Sequence, residues 1–145
     1  MHPVLFNASF HITTLRTKDD PGPSLRRLAE GVPVWLSSVV LEGLYAGVSE
    51  HDRHVVEHLE RDFDGVKRIV VPNLGDWTET GRVFGRLAAM YDYGEVGKGR
   101  LTNDALIAMS AGRLGITVIT ASVRDFSKLA EFRSFGWRVN YPRTS

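Results

Sequence analysis

The sequence predicts an α/β fold: a central, mainly parallel sheet of about five strands with helices on both faces. Three observations predict it. Short apolar, β-branched runs recur along the chain. Those at 4–6, 67–71 and 116–120 lack clean polar alternation, which is how strands buried on both faces of a parallel sheet read. Segments with helical apolar spacing fill the intervals, and strands alternating with helices build βαβ units.

The elements follow in order. Val4-Leu5-Phe6, between Pro3 and Asn7, is the first strand. Ser24 can cap a helix through Glu30, with Gly31 as its stop. Val34-Trp35-Leu36 follows Pro33 as the second strand. Ser37 or Ser38 caps the next helix, whose stripe Leu41, Leu44, Tyr45, Val48 keeps the i, i+3, i+4, i+7 spacing. His51 to Phe63 is a polar helix with a thin seam at Val55, Val56, Leu59 and Phe63. Lys67 to Val71 is the third strand, closed by Pro72. A helix over Asp76–Tyr93 carries Trp77, Phe84, Leu87, Ala88 and Tyr91. Gly94 to Arg100 reads as a loop. Thr102 caps a helix to about Leu114, stopped by Gly115, and Ile116 to Thr120 is the fourth strand. Ser122 or Asp125 begins a short helix through Phe132, and Arg138 to Tyr141 is a weaker fifth strand.

Composition narrows the class. At 145 residues, 43% apolar and 24% charged, residues 1–145 read as one globular domain rather than a disordered tail or a fibre. With no cysteine, a disulfide scaffold, a Cys-ligated zinc site and a thiol nucleophile are excluded. No apolar run approaches the ~18 residues of a membrane span. Met1 to Phe6 lacks the basic start and long apolar core of a signal peptide. The expectation is a soluble, cytoplasmic protein without a membrane partner. Charge is uneven: residues 1–96 hold 10 Lys and Arg against 14 Asp and Glu, a net −4, and residues 97–145 hold 8 against 3, a net +5. That split suggests a polyanion on one side or an ordinary solvated surface.

In an open parallel sheet, ligands bind beyond the carboxyl ends of the strands. Asn7 and Ser9 follow the first strand, Ser37-Ser38 and then Glu42 the second, and Thr120-Ala121-Ser122 with Asp125 the fourth. Asp104 stands in the expected first turn of the helix before strand four, where it also suits the helix dipole. Glu42, at the flank of its apolar stripe, can simply face water. Together these residues gather carboxylate and amide oxygens, a hard donor set suited to Mg²⁺ or Mn²⁺.

These segments resemble the motifs of PIN-domain nucleases. Residues 4–9 (Val-Leu-Phe-Asn-Ala-Ser) look like the opening strand, which in the family ends in Asp. Residues 37–47, with Glu42, look like the second motif, and Asn103-Asp104-Ala105-Leu106-Ile107-Ala108 is similar to the third and the most specific match. Residues 117–126, with Asp125-Phe126, look like the fourth. Order and spacing run through nearly the whole chain and are most similar to VapC-type toxins. The resemblance implies a PIN-like fold, divalent-metal-dependent RNA hydrolysis, a small VapB-like antitoxin as partner, and a homodimer. By position it implies catalytic roles at Asn7, Glu42, Asp104 and Ser122, and metal ligation at Asn7, Glu42, Asp104 and Asp125. Arg100, Arg124 and Lys128 lie near these motifs in sequence and can meet phosphates.

Asn7 departs from the pattern. Asn keeps one acceptor oxygen but loses a full charge and adds an NH₂ donor. With Ser122 also uncharged, weak metal binding and little or no cleavage are expected of this chain. Either one acid has been exchanged on an otherwise ordinary toxin, or the chain is a degenerate module that binds RNA or a protein partner without cutting. The sequence offers weaker sites too. His51, His54 and His58 read as a solvated face rather than a metal site. Gly94 to Gly99 lacks Walker spacing. Trp35, Trp77 and Trp137 read as packing residues. No glycine-rich turn follows the first strand, which argues against a dinucleotide binder.

Overall fold

The computed structural model of the chain describes residues 2–7, 33–91 and 99–139. Ser9, the expected helix from Ser24 to Gly31, the expected loop at 94–98 and the end of the fifth strand lie outside the described residues.

Among the described residues all strand pairings are parallel, in the order β3-β2-β1-β4-β5. Here β1 is Val4–Phe6, β2 Val34–Ser37, β3 Ile69–Val70, β4 Thr117–Thr120 and β5 Trp137–Val139. The central strand β1 is buried along its whole length, and Phe6 and Leu5 are among the largest fully buried side chains. That is why its sequence shows no alternation. Val4, Leu5 and Phe6 stand in register with Thr117, Val118 and Ile119 of β4, and Val4 and Leu5 with Val34 and Trp35 of β2. The order along the sheet reverses between β1 and β4, which opens a crevice at their carboxyl ends.

Helix α1 (Ser38–Gly47) follows β2 directly. Ser37 is its N-cap, its hydroxyl accepting from Val39 N at 3.1 Å. Val40, Leu41 and Leu44 are buried and Glu42 is exposed. A short 3₁₀ turn at Glu50–Asp52 leads into α2 (Arg53–Gly65), which buries Val56 and Leu59. The Tyr45 hydroxyl ties α1 to α2 by donating to Glu60 Oε1 at 2.6 Å, and this bond pushes the phenol up to about 12.

Helix α3 spans Leu74–Met90, starting two residues before the expected Asp76 and ending before Tyr93. Asn73 and Asp76 form a reciprocal capping box, which sets the start at Leu74. Trp77 is 55% exposed, so it is not the packing residue the sequence suggested.

Helix α4 runs over Gly99–Arg113, so Gly99 and Arg100 are helical and Thr102 lies inside the helix instead of capping it. Residues 104–111 are all buried, with Ser110 back-bonded to Leu106 O at 2.6 Å. Burial on every side stabilises a helix that outruns its sequence signals. Its end was legible: Gly115 has φ +70°, Gly115 N donates to Gly112 O, and Ile116 N donates to Ala111 O at 2.9 Å. That is the double closure glycine favours after a helix. Helix α5 is Val123–Ala130, with Phe126 and Leu129 buried. No helix among the described residues is long and apolar enough to cross a membrane.

Candidate functional site

The ladder of β1 continues one residue past the strand, where Asn7 N donates to Ile119 O at 2.9 Å. This places Asn7, 4% exposed, at the β1/β4 crevice. Its amide Nδ2 donates to Thr120 Oγ1 at 2.9 Å. Ser122 N donates to the same oxygen at 3.0 Å. Thr120 is thus the joint of the site, bridging Asn7 and the turn that carries Ser122. In the sequence Thr120 is marked only as a strand end; a hydroxyl at the carboxyl end of a switch-point strand is the signal that points to it.

Ser122 occupies the N-cap position of α5 yet makes no side-chain cap bond, unlike Ser37 on α1. Ser122 is half-buried, and its hydroxyl takes no part in capping the helix. Asp125 is half-buried in the first turn of α5, where it suits the helix dipole.

Asp104 is 6% exposed and stands in the second turn of α4, not the first. The helix-dipole account of Asp104 is weakened accordingly, since that effect fades within the first turn. Burying a carboxylate is costly, so Asp104 is a position where chemistry or tight pairing is expected. Glu42 stands exposed on α1, which packs against α4. Among the described residues, no three Asp, Glu or His side chains cluster as a metal site. His51 lies in the 3₁₀ turn ahead of α2, not on one helix with His54 and His58; all three are exposed, and His58 meets Asp62 at 3.5 Å.

Of the three basic residues, Arg100 lies on the first turn of α4 and Arg124 is exposed on α5. Lys128 Nζ stands over the Tyr91 ring, 5.0 Å from its centroid. Other positive charges of the basic half serve the fold. Arg113 grips Asp76 through Nε and Nη2 at 3.0–3.1 Å, and Arg133 meets Glu79 at 3.6 Å.

Asn7 presents an amide whose nitrogen is a donor to Thr120, and Thr120 and Ser122 supply neutral hydroxyls. Among the described residues, these crevice donors are an amide and two hydroxyls, neutral groups where a Mg²⁺ or Mn²⁺ site draws on carboxylates.

Comparison with solved structures decides the fold. A chain of the DNA-bound VapBC structure from Salmonella typhimurium matches with a TM-score of 0.65 and 20% identity, over 96% of this chain and 98% of that one. The fold is PIN-like. VapBC2 from Rickettsia felis, bound to a promoter DNA fragment, matches at TM-score 0.61 and 19% identity over 95% and 98% of the two chains. FitAB bound to the IR36 DNA fragment matches at 0.55 and 15% over 98% and 99%. The five-stranded parallel sheet and its flanking helices thus recur from end to end in these PIN-like chains. No protein-family model matches the sequence, and no curated protein is similar to it.

Proposed function

We propose that this chain is the toxin-type member of a toxin–antitoxin pair whose ribonuclease site is disarmed at position 7. The observation that carries this reading is the Asn7–Thr120 hydrogen bond, at the switch-point crevice of a fold matched end to end by VapBC chains. An amide occupies the place where the resembled motif has an acid. The antitoxin partner is proposed from the neighbours, which are VapBC and FitAB complexes.

A divalent ion, if held in an active form of such a site, would supply charge compensation for a phosphodiester and a more acidic bound water. Glu42 and Asp104 are the carboxylates proposed to hold it, with Asp125 a further acid near the end of the crevice. Arg100, Arg124 and Lys128 are proposed to meet the RNA backbone. In this chain Asn7 contributes an oxygen without charge, and cleavage is weak or absent.

A second reading is favoured by the two uncharged positions, Asn7 bonded to Thr120 and Ser122 beside it in the chain's fourth motif: a module that binds RNA or a protein partner and does not cut. One experiment separates the two. RNA cleavage is assayed with Mn²⁺ for the chain and for Asn7→Asp. The toxin reading expects a gain on the order of 10²-fold or more, the scale of one preorganised electrostatic contact. If the restored acid leaves the chain inert on every RNA tried and Mn²⁺ titration finds no site, the non-cleaving module stands instead.

A further inference from the structure

The seam between α3 and the end of α5 gathers positive charge. Three contacts close it in antiparallel order. Arg133 meets Glu79 at 3.6 Å, Arg86 Nη1 donates to Phe132 O at 3.4 Å, and the Tyr91 hydroxyl donates to Glu131 Oε2 at 2.9 Å. Arg82 also meets Glu79, at 3.7 Å, and Lys128 stands over the Tyr91 ring. Among the described residues, these contacts bring four cations together against two carboxylates.

Glu79 organises the seam. Its side chain is 20% exposed, while those of Arg82 and Arg133 are 68% and 54% exposed. Each arginine approaches a different carboxylate oxygen, and both distances exceed a hydrogen bond. Glu79 Oε2 is buried with no hydrogen-bond partner. The carboxylate therefore draws two guanidiniums together by charge and leaves their N–H donors unspent. Exposed ion pairs of this kind add little to stability, so the fold does not account for them. Two guanidiniums held side by side fit an anion between them, because each fork matches a phosphate in parallel hydrogen bonds.

The openness of the seam decides which anion. A free phosphate there would meet only hydrated, screened charges. A strand offers several phosphates at once and releases a counterion at each. Arg82 and Arg86 stand one turn apart on α3, a rise of about 6 Å, so successive cations can meet successive phosphates. The seam also lies apart from the crevice. Ser122 starts α5 at the β4 end, and Arg133 lies past the other end of this eight-residue helix, about 12 Å long. We propose that Arg82, Arg86 and Arg133 form a binding site for the backbone phosphates of a nucleic-acid strand, separate from the crevice. The site is independent of the nuclease reading, because it needs neither a metal nor a cut.

Fluorescence anisotropy of a labelled single-stranded RNA of about 16 nucleotides tests it in EDTA, with no cleavage readout. Arg82→Gln with Arg133→Gln should weaken binding at least about 10-fold at low salt. The slope of log affinity against log salt should shrink by about 1.4, the share of two phosphate contacts. Arg82→Lys with Arg133→Lys should keep that slope yet bind several-fold more weakly, because the charge stays and the fork is lost. Arg53→Gln with Arg61→Gln makes the same charge change on exposed residues of α2 and should stay within about twofold. The unaltered chain failing to bind the strand overturns the proposal. So does a glutamine pair at 82 and 133 that binds as well as the unaltered chain, or an equal loss from the α2 pair. Displacement of the strand by millimolar inorganic phosphate at constant ionic strength would overturn it in favour of a free anion. Equal competition by polyglutamate would overturn it in favour of an acidic protein segment.

Discussion

At the corner where α3 begins and α4 ends, Asp76 is 4% exposed; at the β1/β4 crevice, Asn7 is also 4% exposed. The first is a charge with a complete answer. The Asp76 carboxylate accepts from Arg113 Nε and Nη2 and from Asn73 N, and it lies in the first turn of α3, where an anion is favoured. The second is neutral, and its named side-chain partner is a hydroxyl. Equal burial is therefore reached by opposite means. Where the protein holds an anion for structural reasons it surrounds it with donors. In the crevice it buries a neutral amide and bonds it to a hydroxyl.

Breaking the corner should have the largest effect on stability. Arg113→Met leaves the Asp76 carboxylate buried without its guanidinium. A loss of about 3 kcal/mol is expected, the lower end for a broken buried pair because the Arg113 side chain is 36% exposed. Urea unfolding measures it, and a loss below about 1 kcal/mol would mean that the capping box alone holds Asp76.

The crevice should answer more softly. Thr120→Val removes the acceptor of both Asn7 Nδ2 and Ser122 N, and about 2 kcal/mol is expected for two buried or half-buried donors left without it. Unchanged stability would show that the Asn7–Thr120 contact is incidental. The smallest effects compare two serines at helix starts. Ser37→Ala loses a bonded cap and should cost about 1 kcal/mol. Ser122→Ala, at a cap position with no cap bond, should stay within about 0.5 kcal/mol. An equal cost at both positions would remove the distinction between a structural serine and one available to the crevice.

Much of this architecture was legible because it is local. Apolar runs without alternation marked buried parallel strands, and Gly115 marked the end of α4. The misreadings have physical causes. Helix α4 begins at Gly99, ahead of Thr102, because burial of residues 104–111 on all sides outweighs the poor helix propensity of a glycine-rich entry. An aromatic on a helix usually packs into the core, which is why the sequence points Trp77 inward; only the third dimension shows that α3 turns it outward. Arg113 stands 37 residues from Asp76, so their pairing had no local signature. The motif resemblance marks Asn7, Glu42, Asp104 and Ser122 only as candidates, and the hydroxyl that joins the Asn7 amide to Ser122 N has no signature until β1 and β4 lie side by side.

That adjacency also governs when the crevice can exist. Asn7 and Thr120 are 113 residues apart, and β1 is flanked by β2 on one side and β4 on the other. A chain leaving the ribosome can pair β1 with β2 early, but it cannot close the crevice until Thr120 has emerged. Contacts of such long sequence separation are slow to form and are made late. The polar centre of the molecule is therefore among its last parts to assemble, and an interrupted nascent chain displays the sheet's first half without it.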